Sequence, residues 1–584
     1  MKKKTIPILV VIALIVLILG ITVIARLVEK YTPSKERMGL NQQYNLTQEN
    51  QAALILNGEL FEYENSTICP ALYLDGSLYL DYAFVHNYIN PRFYWDSNEN
   101  ILFYTTSSDV ISANAESTSY FVTKASTEFG KVIVKSYTET AYVNADFVAQ
   151  YSDMQFSTFD DFETPRAVVR TKFGDVDTIT AKKDTCIRTL GGIKSPILAD
   201  IPKGEKLYLL ADLDDWKEVM TESGIIGYTR TKTLGATSTE TIASTYTPES
   251  FSHIKKDYNI NMIWHQVGSS AGNSQISDVL SSTKGVNVVS PTWFYLNDNN
   301  GNLYDLASKD YVNYCHNHGV EVWALVSNLE NKDVDTSYVL THSSIRQNLV
   351  NQIVSAAIQY NLDGINLDFE ALDREEVGDA YIQFVRELSL KCANNGLVLS
   401  IDNYAPTDYT AFYNRAEQAN FADYVVIMGY DEHYAGSDAG SVASAGWVKE
   451  AVANTLKDVP ADQIILGMPF YNRIWKLTPA SGDDAENEEG AYVEYETTSY
   501  TTNMREARDT LDRNGATLVW LEEEGQYYGD FAEGSTTYKI WLEDVSSLES
   551  KLNIMKDNAL AGGAFWKYGL ETSDVWDTII KYMN

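Results

Sequence analysis

The sequence predicts a multidomain chain. It has a (β/α)8 barrel in its carboxyl-terminal half, two small β-rich domains before the barrel, and one membrane-spanning helix at the amino terminus. Three observations predict this organisation. The 584 residues are more than a single hydrophobic core usually accommodates. A long uncharged apolar stretch begins at residue 5. From residue 260 onward, short strands joined by turns give way to eight apolar strands that alternate with helices.

The net charge argues against one class of binding partner. The chain carries 45 Lys and Arg against 80 Asp and Glu, a formal net charge of -35. Binding to a phosphate backbone requires clustered cations, so the balance argues against a nucleic-acid partner. The four cysteines (Cys69, Cys186, Cys315 and Cys392) lie more than 70 residues apart. No CxxC or Cys/His pair has metal-ligand spacing, so a structural zinc site is not expected. No metal cluster or other cofactor is implied.

The amino terminus predicts a membrane anchor. Lys2, Lys3 and Lys4 precede an uncharged stretch from Thr5 to Ala25. At ~1.5 Å per residue in a helix, this stretch spans the ~30 Å hydrocarbon core of a bilayer. The alternative is a signal peptide cleaved after the small residue Ala25. We assign residues 1–26 to the anchor or signal peptide, and the polar residues 27–50 to a tether.

Residues 51–165 predict the first β-rich domain. Two strands, 72–74 and 78–80, flank Asp75-Gly76-Ser77, a sequence typical of a tight hairpin turn. With Trp95-Asp96 ahead of Asn100-Ile101-Leu102, and 141–144 opening a final helix, the segment resembles the N-terminal-type domain of copper amine oxidases. The resemblance implies an accessory or spacing domain. His86 stands alone and provides no copper ligand set.

Residues 176–236 predict the second β-rich domain. An apolar strand at 207–210, the strand Trp216-Lys217-Glu218-Val219 and the hairpin end Gly227-Tyr228 occur within some 60 residues. This arrangement resembles bacterial SH3-like domains, which implies a contact with cell-wall peptides. The alternative interpretation is that Trp216 and Tyr228 are ordinary core aromatics.

The barrel is predicted over residues 255–584. Helical spacing of apolar residues over 344–360 is one of its helix signals. An insertion of 476–545 follows the seventh strand. Its acidic run (Asp483, Asp484, Glu486, Glu488 and Glu489) predicts a solvated loop. The eight predicted strands are 260–267, 286–290, 320–326, 363–370, 397–402, 424–430, 464–470 and 562–568.

The fourth predicted strand carries the chemistry. In 363–370, alternate residues are apolar and face the outer helices, whereas Asn366, Asp368 and Glu370 point into the barrel. A buried parallel strand is normally apolar throughout, so inward polar residues near its carboxyl end indicate a catalytic site. Repulsion and burial raise the pKa of one of two nearby carboxyls. Glu370, at the end of the strand, is therefore predicted as the general acid. The alternative is a buried hydrogen-bonded network without chemistry.

These residues resemble a known signature. Asp-x-x-Asn-x-Asp-x-Glu at 363–370, Met428-Gly429-Tyr430-Asp431 and Gly562-Gly563-Ala564-Phe565-Trp566 are similar to motifs of glycoside hydrolase family 18. Asn287 to Phe294 and Trp541 to Asp544 further resemble the bacterial branch that includes spore-cortex and germination hydrolases. The resemblance covers about 255–584, with the motifs in the expected order.

The resemblance implies a substrate-assisted, retaining mechanism. Glu370 protonates the glycosidic oxygen, while the sugar's own 2-acetamido group attacks the anomeric carbon. Asp368 orients the acetamide N–H and Tyr430 bonds its oxygen. For substrate binding, the motifs imply a sugar-stacking floor at Trp566, a polar network around Asp431, and contributions from Met428 and Asp363.

One position departs from the family pattern. Asn366 stands where many members have Asp, and a neutral amide cannot share a proton with Asp368. We expect Asn366 instead to donate a hydrogen bond to Asp368 and to help keep it ionised.

The function implied is hydrolysis of β-linked N-acetylglucosamine polymers without a cofactor. Peptidoglycan is favoured over chitin, because the chain has an anchor and an SH3-like segment. A catalytically silent glycan-binding surface protein is the alternative from another class. The expected location is the cell membrane, with a single span and the catalytic body outside the cell. The sequence leaves the oligomeric state open.

Overall fold

The computed structural model describes residues 5–64, 68–137, 140–160, 164–480 and 495–583. The predicted acidic loop (Asp483, Asp484, Glu486, Glu488 and Glu489) and Lys2 to Lys4 lie outside these residues. Contacts divide the chain into two compact units. The first unit comprises Met1–Trp95 and Ser112–Pro248, and the second comprises Asp96–Ile111 and Glu249–Asn584.

The first unit begins with a long apolar helix, α1 (Thr5–Tyr31). Its segment Ile6–Tyr31 has 26 residues and a hydropathy of 3.4, with none of that apolar window buried. A helix of this length and composition can cross a bilayer, and an uncleaved signal sequence has the same properties. The helix ends five residues later than residue 26, where the anchor was expected to stop.

The strands of the first unit form several small sheets. Four strands form a sheet in the order β12-β13-β1-β2, and four form a sheet in the order β10-β11-β4-β3. Among the elements given next in chain order, the strand of residues 101–105 belongs to the second unit. The elements are α2 (Leu40–Gln43), β1 (Ala53–Leu56), β2 (Glu59–Phe61), β3 (Ala71–Leu74), β4 (Ser77–Asp81), α3 (Tyr82–Phe84), β5 (Phe93–Asp96), β6 (Ile101–Thr105), β7 (Val110–Asn114), β8 (Ser119–Val122), β9 (Ala125–Glu128), β10 (Val134–Tyr137), β11 (Thr140–Asn144), α4 (Ala145–Gln150), β12 (Gln155–Phe159) and β13 (Arg166–Arg170).

Seven further strands complete this unit in the order β16-β15-β19-β18-β17-β14-β20. Ala53 and Ile55 of β1 share one hydrophobic core with residues of this seven-stranded sheet, such as Ile179 and Val219. The two predicted β segments therefore pack together through a common core. The strands are β14 (Gly174–Ala181), β15 (Thr185–Arg188), β16 (Ile197–Ile201), β17 (Lys206–Leu213), β18 (Trp216–Met220), β19 (Ile226–Arg230) and β20 (Leu234–Ile242).

The expected tether differs from the structure over part of its length. Met38 N–H donates to the Ile197 carbonyl of β16 over 3.0 Å. Leu40 and Tyr44 are buried in the shared core, and the Tyr44 hydroxyl donates to the Gly224 carbonyl over 2.8 Å. The polar composition of 27–50 suggested a free linker, but these few apolar side chains fix the segment against the sheet.

The second unit is a closed parallel barrel. Its strands follow the order β21-β34-β28-β27-β26-β25-β24-β22, and β21 also pairs with β22 to close the ring. The eight strands predicted for the barrel are confirmed. They are β21 (Ile260–His265), β22 (Val288–Leu296), β24 (Glu321–Ser327), β25 (Gly364–Asp368), β26 (Val398–Tyr404), β27 (Tyr424–Met428), β28 (Ile464–Pro469) and β34 (Gly562–Trp566), and the short β23 (Leu303–Asp305) pairs antiparallel to β22.

Helices cover the outside of the barrel, and segment Asp96–Ile111 clusters with them. Asp96 accepts the Ser343 N–H at the start of α8 over 2.7 Å, where a carboxylate satisfies a free helix N–H group. The helices are α5 (Ile276–Ser282), α6 (Lys309–Asn317), α7 (Thr336–Thr341), α8 (Ser343–Tyr360), α9 (Arg374–Val377), α10 (Ala380–Ala393), α11 (Arg415–Phe421), α12 (Ala445–Thr455), α14 (Val545–Asp557) and α15 (Val575–Ile579).

The predicted insertion after the seventh barrel strand is present. It forms a five-stranded sheet in the order β30-β29-β33-β32-β31, with one helix packed on it. Its core includes Ile474, Leu511 and Ile540. The elements are β29 (Tyr471–Pro479), β30 (Tyr495–Asn503), α13 (Met504–Arg513), β31 (Val519–Leu521), β32 (Gln526–Glu533) and β33 (Thr536–Leu542).

Candidate active site

The interior of the barrel changes from apolar to polar along its axis. The amino-terminal layers contain residues such as Val288, Trp323 and Val398, which pack into one cluster. Gly364 leaves room for this packing, since a Cβ atom there would lie 2.8 Å from the Trp323 ring. Toward the carboxyl ends of the strands, the inward positions become Asn366, Asp368 and Asp402. The polar end of the barrel is where this fold places its active sites.

Asn366 is fully hydrogen-bonded inside the barrel. Its carbonyl oxygen accepts the Trp264 indole N–H over 2.8 Å and the Ser290 hydroxyl over 3.0 Å. Its amide nitrogen donates to Ser400 over 3.1 Å and to the Asp402 carboxylate over 2.7 Å. The expected hydrogen bond from Asn366 to Asp368 is therefore wrong, because both donor hydrogens are directed at the neighbouring strand β26.

The backbone of Glu370 is held by a neighbouring strand end. The Asn328 side chain donates to the Glu370 carbonyl over 2.9 Å and accepts the Glu370 N–H over 2.8 Å. The Ala371 N–H donates to the Tyr404 hydroxyl over 3.1 Å, and that hydroxyl also bonds the Glu370 carboxylate. Strand β25 ends at Asp368, so Glu370 lies two residues beyond it rather than on the strand.

Burial raises the pKa of three carboxyl groups in this region. Burial raises the pKa of Asp368 well above its usual range, and the negative charges of Asp402 and Glu370 add to the effect. Burial likewise raises the pKa of Glu370, opposed by the Tyr404 hydrogen bond and reinforced by the charge of Asp431. Burial raises the pKa of Asp402, opposed by the Asn366 hydrogen bond. A carboxyl that keeps its proton near neutral pH can serve as a general acid.

Tyr430 and Asp431 follow strand β27 and reach the same region. Burial raises the pKa of the Tyr430 hydroxyl, as do the charges of Asp402, Asp368 and Glu370. Asp431 accepts a hydrogen bond from the Tyr471 hydroxyl over 2.5 Å, and its oxygen lies 3.9 Å from the Arg473 guanidinium. Tyr471 and Arg473 belong to β29, so the insertion supplies part of the site.

Trp566 ends the eighth barrel strand. Its ring meets the Trp264 ring edge-on, with centroids 5.7 Å apart, and Trp264 in turn donates to Asn366. Trp566 keeps part of its surface exposed, as a sugar-stacking residue requires. Met428 is buried at the end of β27, where it pairs with Gly467 and Tyr404.

Asp363 does not join this group, and its assignment to substrate binding is corrected. It precedes β25 at the amino end of the barrel, about 16 Å along the strand from Asp368. Its carboxylate accepts the Val322 N–H over 2.8 Å and contacts His316 Nε2 at 2.8 Å. Asp363 therefore stabilises the start of the strand rather than binding the substrate.

Several residues of the site were missed from the sequence. Asp402, Tyr404 and Asn328 lie on the strands that flank β25 or just beyond their ends. The polar run Asp402-Asn403-Tyr404 at the end of an apolar strand is a signal that was available. In the part of the chain that the structure describes, no group of three or more His, Cys, Asp or Glu side chains is arranged to hold a metal ion.

The family model of glycosyl hydrolases family 18 matches residues 241–571. The chain is 27% identical over 263 residues to the cortical fragment-lytic enzyme of Bacillus subtilis, which covers 43% of this chain and 58% of that protein. It is 23% identical over 296 residues to the uncharacterized glycosylase YvbX of the same organism. This match covers 49% of this chain and 81% of that protein. The crystal structure of the Bacillus cereus spore cortex-lytic enzyme SleL matches with a TM-score of 0.49 at 19% identity, covering 59% of this chain and 78% of that one.

Proposed function

Because the chain belongs to glycosyl hydrolase family 18, and is a glycoside hydrolase, we propose that it hydrolyses β-linked N-acetylglucosamine polymers with retention of configuration. One observation carries the proposal. Glu370, whose pKa is raised, is clamped by Asn328 beside Asp368 at the polar end of the barrel. A proton donor next to a second acid is the arrangement that glycosidic cleavage requires.

The proposed reaction uses the substrate as its own nucleophile. Glu370 donates its proton to the glycosidic oxygen as the bond to the leaving sugar breaks. The carbonyl oxygen of the 2-acetamido group attacks the anomeric carbon and forms a cyclic oxazolinium ion. Asp368, in its ionised form, accepts the acetamide N–H and stabilises the positive charge. Water then opens the ring while the Glu370 carboxylate takes its proton.

The remaining residues bind the sugar. Tyr430 donates to the acetamide oxygen, and the Trp566 ring stacks under the sugar at the cleaved bond. Asp431 holds the polar network, supported by the Tyr471 hydroxyl. Asn366 lies beneath the site, where its hydrogen bonds hold Trp264, Ser290, Ser400 and Asp402 in place, and it does not contact the substrate.

Peptidoglycan is the proposed substrate, and chitin is the alternative. An amino-terminal helix long enough to cross a bilayer keeps the enzyme near the wall if it is not cleaved. The proposed SH3-like segment over 176–236 would add a weak wall contact, which tethering strengthens by raising the local concentration. The proposed copper-amine-oxidase-like segment over 51–165 serves as a spacer.

Digestion of purified peptidoglycan and of chitin oligomers by residues 30–584 tests the activity. Mass analysis should show new reducing N-acetylglucosamine ends that retain the β configuration. Substrates deacetylated at the sugar before the cleaved bond should resist cleavage, because they lack the internal nucleophile. Equal rates on acetylated and deacetylated glycans would assign the nucleophile to the enzyme instead.

Fractionation tests the proposed anchor. The full-length protein should remain with membranes through a high-salt wash. Removing residues 1–30 should release an enzyme with unchanged activity on small oligosaccharides and reduced action on the wall in vivo. Recovery from the medium with a new amino terminus at Arg26 would identify the helix as a signal peptide.

A further inference from the structure

Asp402 is a buried acid for which the proposed reaction has no role. It lies on the inner face of β26 and is only 3% exposed. Its Oδ1 atom accepts the Asn366 amide over 2.7 Å, which leaves Oδ2 for another partner. A buried carboxyl without a cation is costly to retain, so its position calls for a physical explanation.

Asp402 is the cross-strand neighbour of Asp368. Strands β25 and β26 are parallel, with Asn366 paired to Ser400 and Leu367 to Ile401. Asp368 and Asp402 are the next residues along the two strands, one position beyond the last of these pairs. Asp402 reaches Asn366 inside the barrel, and its charge acts on Asp368. Neighbouring strands are ~4.8 Å apart, which brings the two carboxyls within reach of each other.

One carboxyl oxygen of Asp368 has no hydrogen-bond donor among the described residues. Its Oδ1 atom is buried and, among the residues that the structure describes, has no hydrogen-bond partner. Asn366 cannot supply one, because its two amide hydrogens are directed at Ser400 and Asp402. An ionised Asp368 without a donor would be strongly disfavoured in this setting.

We propose that Asp402 is a positioning residue that carries one shared proton and donates it through Oδ2 to Oδ1 of Asp368. The proposal rests on the function proposed above. The proton stays on Asp402 while Asp368 accepts the acetamide N–H, so the pair keeps a single negative charge throughout the reaction. Asp402 thereby supplies from the fifth barrel strand the second carboxyl that Asn366 does not provide.

The surrounding groups are consistent with one proton for two acids. Glu370 and Glu330 act on Asp368 as further negative charges, and Glu370 also acts on Asp402. The hydroxyls of Tyr430, Tyr381 and Tyr413 lie within electrostatic range of the acids, and the charge of Arg415 acts on Tyr381 and Tyr413. In the part of the chain that the structure describes, neither Asp368 nor Asp402 forms an ion pair. Like charges this close are not ionised together.

Two substitutions of Asp402 give opposite expectations. In Asp402→Asn, a neutral amide replaces a neutral acid, still accepts from Asn366 and still donates to Asp368. We expect kcat within about tenfold of wild type and little change in the acid limb of the kcat/KM profile. In Asp402→Ala, Asp368 loses its donor. We expect kcat to fall about a hundredfold with KM little changed, and the acid limb to move to higher pH, because the ionised form of Asp368 is no longer stabilised.

The direction in which the acid limb of the kcat/KM profile moves distinguishes a protonated Asp402 from an ionised one. If Asp402 were ionised and served only as an acceptor for Asn366, removing its charge would move the acid limb to lower pH in both variants. That result would overturn the proposal. Ser400→Ala is the matched control, since it removes the other acceptor of the Asn366 amide and no titrating group. It should leave the acid limb in place.

Infrared spectroscopy provides a readout that does not depend on turnover. In the Glu370→Gln background at neutral pH, the carbonyl stretch of a protonated carboxyl should be present, and the intensity that one carboxyl contributes should be lost when Asp402→Asn is added. Absence of this band before that substitution would contradict the shared proton. The function proposed above fails differently, through absence of cleavage by the wild type or full activity of Glu370→Gln.

Discussion

Two sets of buried or half-buried carboxyl groups in the barrel unit differ in their partners. In the first set, each acid has a cation. Glu387 bonds Arg346 through two contacts of 3.1 and 2.9 Å, and Glu417 bonds Arg386 over 2.8 Å. Glu543 is fully buried with Lys551 at 2.9 Å. These pairs lie in the helical layer and in the connection that leads to the eighth strand.

The second set consists of Asp368, Glu370 and Asp402 inside the barrel. Among the described residues, none of the three forms an ion pair, and their partners are an amide, a tyrosine hydroxyl and one another. Burial raises the pKa of Glu543 as well, but there Lys551 and Ser547 oppose the effect. Within these two sets, the cation commits each acid of the first set to structure, whereas the acids of the second set keep a proton available for chemistry.

The largest expected effect is on catalysis. Glu370→Gln keeps the size of the side chain but removes the transferable proton, so we expect kcat to fall by about 10²- to 10⁴-fold. Binding of oligosaccharide, measured by calorimetry, should persist. A variant with wild-type turnover would remove Glu370 from the role of general acid.

The same Glu→Gln change at Glu387, which is paired with Arg346, should lower the stability of the protein rather than its turnover. Glu387→Gln removes the carboxylate charge that faces the buried Arg346 guanidinium, and we expect the free energy of unfolding to fall by about 3–5 kcal/mol. Turnover per folded molecule should stay close to wild type at low temperature. Denaturant titration of Glu387→Gln and Glu370→Gln side by side provides the comparison. A loss of turnover in Glu387→Gln at full folding would erase the distinction between the sets.

The strand pattern was predictable because barrel strands are apolar and short, and because they alternate with helices. The clearest difference is β22, expected at 286–290 and observed at Val288–Leu296. The strand continues past residue 290 through an irregularity between Thr292 and Phe294 that accommodates an extra residue.

The sequence predicted only those features of the site that depend on one strand, namely which side chains point into the barrel. Alternation placed Asn366 and Asp368 inside the barrel, but it says nothing about partners on the next strand. The bond from Asn366 to Asp402 joins residues 36 positions apart, and the register that sets it arises only when the sheet closes. Asp363 was misassigned because a motif gives residue order and not the end of the barrel at which each residue lies.

A smaller effect concerns stability against pH. The pKa of Glu370 is raised in the folded state, so below about pH 4 both states are protonated and burial of the acid has no electrostatic cost. As pH rises, the unfolded chain ionises first and the folded state loses relative stability. Glu370→Gln should therefore match wild type at pH 4 and exceed it at pH 8, by about 1.4 kcal/mol per unit of raised pKa. Thermal melts of Glu370→Gln and wild type at pH 4 and pH 8 measure this difference in stability. The same difference between variant and wild type at both pH values would contradict the prediction.

The smallest expected effect concerns Glu330, whose charge should influence the pKa of the acids inside the barrel from a distance. Glu330, exposed just beyond β24, contributes to the raised pKa of both Glu370 and Asp368. Catalysis requires protonated Glu370, so activity is lost as pH rises through its pKa. Glu330→Gln removes one negative charge, lowers that pKa, and should move the alkaline limb of kcat/KM to lower pH by roughly 0.3–0.5 pH unit. The shift should shrink in ~1 M salt, where the Debye length is about 3 Å. Asp557→Asn removes another exposed charge, at the carboxyl end of α14, which precedes β34 and so lies toward the amino ends of the strands, away from the site. This variant should leave the limb in place. Equal shifts in the two variants would mean that net charge, rather than the position of Glu330 near the acids, sets the profile.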